Sequence, residues 1–72
     1  MKPEPYHAPL PRALTDEERL MLRVSAAGGA HPVPLRGASE FALGRRLVKL
    51  GLGEIMGKGF KVSPRGEAVI AQ

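Results

Sequence analysis

Seven cations, Arg36, Arg45, Arg46, Lys49, Lys58, Lys61 and Arg65, fall between residues 36 and 65, where the only acids are Glu40 and Glu54. That stretch carries a net +5. Residues 1 to 35 balance Lys2, Arg12, Arg19 and Arg23 against Glu4, Asp16, Glu17 and Glu18. Glu67 then brings the whole 72-residue chain to +4. Ammonium and guanidinium groups gathered in this way attract a polyanion, and phosphate is the group that both recognise best. The competing use of such a run is a solvated basic face.

Other chemistries have weak support. The two histidines, His7 and His31, are far apart in sequence, there is no Cys, and His31, followed by Pro, reads as a loop residue. Ser25, Ser39 and Ser63 have ordinary helix or cap explanations. Gly57-Lys58-Gly59 lacks the longer glycine spacing and the following Ser or Thr of a phosphate loop. No enzymatic activity, metal or cofactor is expected.

The cations must be positioned by short elements. Ser39 is a plausible cap for a helix running to about Leu50 and stopped by Gly51. Its Leu43, Leu47 and Leu50 cluster on one side, extended by Phe41, Gly44 and Val48. Arg45, Arg46 and Lys49, with small Ala42, fill the opposite arc, and Gly44 permits close approach by another helix. Gly53–Met56 and Phe60–Val62 read as strands around Met56-Gly57-Lys58-Gly59, whose two glycines supply positive φ angles. Ile55, Phe60 and Val62 then face inward, leaving Lys58 and Lys61 exposed. Ser63-Pro64 opens a last helix that buries Val69 and Ile70.

Upstream, Thr15-Asp-Glu-Glu18 spells a capping box and predicts a helix ended by Gly28-Gly29. The apolar spacing of Leu20, Val24 and Ala27, with Met21 beside them, places these on the core side and Arg19 and Arg23 outside. Residues 28–38 hold three Gly and two Pro, with room for a short extended piece at Val33–Leu35. Residues 1–13 form a Pro-rich arm, with Pro3, Pro5, Pro9 and Pro11 excluding helix. Tyr6 and Leu10 could pin it to the body or to a sister chain, while Lys2 and Arg12 could reach toward phosphates. Residues 14–72 form one small domain whose core is marginal, so a homodimer would help it. No apolar run reaches membrane length and the N-terminus lacks the apolar core of a signal peptide, which points to a cytoplasmic protein without membrane contact.

From Leu47 to Ile70 the chain resembles the back half of a winged-helix domain of the kind found in small bacterial MarR and ArsR regulators. Leu47-Val-Lys-Leu-Gly-Leu-Gly-Glu54 is similar to a recognition helix entering the first wing strand, and Phe60-Lys-Val-Ser-Pro-Arg-Gly-Glu-Ala-Val-Ile70 to the second strand and C-terminal helix. The fold so implied is α+β: three helices, a two- or three-stranded hairpin wing and an extended N-terminal arm. Winged helices carry a further helix before the recognition helix. Here only residues 28–38 are available for it, so either that helix is reduced to a turn or Ser39–Leu50 takes its place.

The resemblance implies a bacterial or phage DNA-binding protein, a transcriptional regulator or accessory factor. Ser39, Ala42, Arg45, Arg46 and Lys49 would approach duplex DNA, with Arg45 or Arg46 able to contact a guanine edge. Lys58 and Lys61 would sit by the backbone or minor groove, with Arg36 and Arg65 as phosphate contacts at the borders. The alternative is a winged helix that adapts or inhibits a larger complex by binding an acidic protein partner.

Overall fold

Thr15 starts the first helix, α1 (Asp16–Ala27), with the capping box that its spacing predicts: its hydroxyl accepts from the Glu18 amide at 3.1 Å, and the Glu18 carboxylate accepts from the Thr15 amide at 2.9 Å. Three acids in the first turn suit the positive helix end. Gly28 caps the other end and Gly29, at φ +65°, turns the chain away. The computed structural model describes residues 12–71, so the expectations for Lys2, Tyr6, His7 and Leu10 lie outside the described residues.

The chain continues through β1 (Val33–Pro34), α2 (Gly37–Lys49), β2 (Gly53–Met56), β3 (Gly59–Val62) and α3 (Pro64–Ile70). The three strands form one antiparallel sheet in the order β1-β3-β2. Val33 pairs with Phe60 on one edge of β3 and Ile55 with Phe60 on the other. Over the described residues the fold is therefore a small α+β arrangement of three helices on a three-stranded sheet. Residues 28–36 contain turn and β1, and α2 opens at Gly37, so a single helix, α2, separates β1 from β2.

The core gathers Leu14, Met21, Leu22, Leu35, Leu47, Leu52, Phe60 and Val62. Phe60, on the central strand, is fully buried and sets the distance of two elements. Gly53 lies directly against its ring, where a Cβ would collide with the ring carbons and with the Lys61 carbonyl. Gly44 brings α2 down onto Leu35, Ile55 and Phe60, so the close approach this glycine permits is to the sheet and not to another helix.

Three local expectations are corrected. First, α1 does not bury Leu20, Val24 and Ala27: Leu20 is 62% and Val24 46% exposed. The buried face is Glu18, Met21, Leu22 and Ser25, spaced i, i+3, i+4, i+7 with polar residues at both ends. Each polar end has partners, and the Ser25 hydroxyl accepts from the Val62 amide at 2.8 Å and donates to the Phe60 carbonyl at 3.3 Å. Buried polar groups are tolerated when so bonded.

Second, Ser39 is not the cap of α2. Arg36 occupies that position and its amide donates to the Glu40 carboxylate at 2.7 Å, while Gly37 at φ +80° begins the helix three residues after the end of β1. Third, only Gly57 of the two hairpin glycines takes positive φ (+63°). Gly59 serves packing instead, because a Cβ there would press on Pro32 as β1 crosses.

Candidate nucleic-acid interface

The outward side of α2 follows from what its inward side must do. Gly44 and Leu47 are buried against the sheet. At about 100° per residue the opposite ridge is Ala38, Ala42, Arg45 and Lys49, and Ser39, Leu43 and Arg46 form the flank toward α1. Among the described residues no element covers Arg45 and Lys49, which are exposed along this ridge. Ala42, expected among the DNA-facing residues, is half-buried and lines a shallow hollow with Glu17, Ser39, Glu40, Leu43 and Arg46. Ser39 is exposed at the edge of that hollow.

Arg46 does not stand free beside Arg45. Its Nε donates to Glu18 Oε2 at 3.3 Å, and Arg12 clasps the same carboxylate in a bidentate grip at 2.8 and 2.6 Å. The Glu18 carboxylate is wholly enclosed, whereas half of the Arg46 side chain faces solvent. Hydrogen bonds from Arg12, opposed by burial and joined by the Thr15 amide and Arg46, lower the Glu18 pKa to about 2. The same bond raises the pKa of Arg12. Arg46 thus retains outward-facing donors but is held by one nitrogen to α1.

The hairpin places its two lysines differently. Lys58 sits exposed at the β2–β3 turn, and its carbonyl accepts from the Leu35 amide at 2.8 Å. That bond brings the turn next to Arg36, which is exposed at the start of α2, so Arg36 and Lys58 belong to one end of the molecule. Arg45 and Lys49 lie further along α2, roughly 14 and 20 Å from Arg36 at ~1.5 Å per residue. Lys61, expected to be free, is half-buried, is paired in register with Glu54, and donates to the Gly29 carbonyl.

Arg65 is also drawn inward. Its guanidinium packs over Gly51 at the carboxyl end of α2, its Nε is buried without a hydrogen-bond partner, and the residue is half-buried. A cation there complements the negative helix end. The structure therefore brings Arg36 with Lys58 and Arg45 with Lys49, ties Arg46 to Glu18, and sets Lys61 and Arg65 against backbone.

No family model, curated protein or solved structure matches this chain. Among the described residues there is no cluster of His, Asp or Glu able to hold a metal ion, and no helix long and apolar enough to cross a membrane.

Sequence reasoning missed Arg12, which it assigned to the arm, and it missed the second use of Glu18. The capping box explains the carboxylate's bond to the Thr15 amide. Nothing in local spacing signals that two arginines, six and twenty-eight residues away, converge on its other face.

Proposed function

We propose that this chain binds duplex DNA as a small winged-helix-type regulator or accessory factor, laying the outer ridge of α2 along the duplex with the β2–β3 turn beside it. The observation that carries this reading is the exposed pair Arg45 and Lys49, i and i+4 on the ridge of α2 opposite its buried face. The helix has 13 residues, about 20 Å, and a major groove about 12 Å wide admits it. Ala38 and Ala42 keep the ridge low between the cations. Arg36 and Lys58 extend the basic surface at the amino end of α2 and supply contacts to phosphate.

The departure from a winged helix is the single helix between β1 and β2. It favours a reading in which α2, directly preceding the wing strands, takes the recognition position without a supporting helix. Binding is then carried chiefly by phosphate neutralisation, with Arg45 the residue best placed for a base edge. Fluorescence anisotropy with a labelled duplex at several salt concentrations tests this. Affinity should fall steeply with salt as counterions are released; no complex at low salt, or affinity indifferent to salt, refutes it.

A second reading, a protein-interaction module, is favoured by the apolar furrow between α1, β1 and α2. Leu20, Met21, Val24, Val33 and Leu43 line it, with Glu17 and Glu40 at the rim. Its carboxylates suit a partner with basic flanks, whereas an acidic partner would have to use the opposite, basic face.

A further inference from the structure

Among the described residues Leu20 is the most exposed large apolar side chain, and Val24 stands beside it. They are exposed, adjacent at i and i+4 on α1, and continuous with the furrow of about 300 Å³ that runs between α1 and α2. An apolar patch on a domain with so small a core calls for a cover. The charge around it indicates which.

The α1 segment is the neutral side of a basic protein: residues 12–27 carry Arg12, Arg19 and Arg23 against Asp16, Glu17 and Glu18. Its charges are segregated along the helix, with acids in the first turn and arginines beyond. We propose that α1 associates with α1 of a second copy of this chain in antiparallel fashion, about a twofold axis near Leu20, each copy covering the other's Leu20.

The pairing is self-complementary on two counts. With Leu20 opposite Leu20, residue n stands opposite residue 40 minus n, so the second copy's Arg23 is level with Glu17 and ~1.5 Å along the axis from Asp16. Asp16 and Arg23 lie within about 20° of one another around the helix, on the same flank of Leu20, and a twofold axis sets like flank against like flank. Two Asp16–Arg23 pairs thus close the interface. The opposed helix dipoles add to this. Association through α2 would set cation against cation; association through α1 leaves Arg45 and Lys49 of both copies facing outward.

Sedimentation equilibrium of the full chain, without nucleic acid, tests the assignment and is independent of any DNA activity. The chain should be dimeric at sub-millimolar concentration, and Leu20→Glu should weaken the dimer roughly a hundredfold, because both side chains of the Leu20–Leu20 contact become carboxylates at once. Leu20 is exposed in the single chain, so the helical signal of that variant should stay close to the parent's, and its melting temperature should lose only the concentration-dependent part that association adds.

Asp16→Arg alone and Arg23→Glu alone should each be monomeric. Mixing them should restore a dimer, now between unlike chains, since every charge pair is again opposite. A parent chain that stays monomeric, a dimer indifferent to Leu20→Glu, or single variants that fail to pair on mixing each overturns the proposal. The first outcome would point to residues 1–11 or a different protein as the cover.

Discussion

Arg46 Nε donates to Glu18 Oε2 at 3.3 Å across twenty-eight residues, tying the basic helix to the amino end of α1. The carboxylate is shared with Arg12 and with the Thr15 amide. One buried acid therefore caps α1, anchors the segment entering it and fixes the flank of α2.

Glu18→Gln removes the charge from this junction and leaves two arginines bonded to a neutral amide. Bonds to charged groups contribute about 1.5–3 kcal/mol each, and both arginines are half-exposed and can turn to water, so a loss of roughly 2 kcal/mol is expected. For a domain of this size the melting temperature should fall by on the order of 10 °C. An unchanged melt would mean that the network contributes nothing net.

The same carboxylate governs acid stability. Its folded pKa, about 2, lies below the ordinary 4.5, so its contribution is fully present above pH 4.5. It declines as pH falls from there toward 2. Stability measured by urea denaturation should therefore rise with pH across that window, and the difference between the parent chain and Glu18→Gln should shrink as the window is descended. A constant difference would contradict the assignment.

Ser25→Ala tests the other polar end of the buried stripe. It strips the Val62 amide of its acceptor and the Phe60 carbonyl of a donor at the centre of the sheet, in a position closed to water. The expected cost is about 1–3 kcal/mol. Amide hydrogen exchange should report faster loss of protection at Val62 than at Ile55, and equal loss at both would argue against a local bond.

Glycine positions separate by cause. At Gly66 a Cβ would fall inside contact distance of the Leu52 carbonyl and the Val62 side chain, both parts of the packed interior. Gly66→Ala should destabilise by about 3 kcal/mol or more, near the limit of what this small domain tolerates. Gly57, at φ +63° with open space around it, should accept Asn within about 1 kcal/mol. Circular-dichroism melts of the two variants should differ widely; similar melts would place the strain elsewhere.

On DNA, Arg45→Ala and Lys49→Ala should each lower the slope of log K against log salt by about one, with little change in melting temperature. Lys61→Ala and Arg65→Ala should leave the slope nearly unchanged, because the Lys61 ammonium already engages the Gly29 carbonyl and Arg65 packs on Gly51. Equal effects from all four would mean a diffuse charge response and not a ridge on α2.

Local chemistry was legible in the sequence wherever it depends on neighbours a few residues apart. The capping box at Thr15, Ser63-Pro64 opening α3, the glycine stop after α2 and the hairpin around Gly57 are all of that kind. So was the outer ridge of Arg45 and Lys49, because Leu43, Leu47 and Leu50 mark the inward side of α2. What sequence could not supply was the rotation of α1. Counting apolar residues selects Leu20 and Val24, yet the packed face runs from Glu18 to Ser25 because distant partners, Arg12 and Arg46 at one end and β3 at the other, satisfy its polar groups. The division of the cations was likewise hidden. Lys61 and Arg65 carry the same charge as Arg45 and Lys49, but only the folded chain puts the Gly29 carbonyl and Gly51 beside them, and a charge held against backbone is no longer free to meet phosphate.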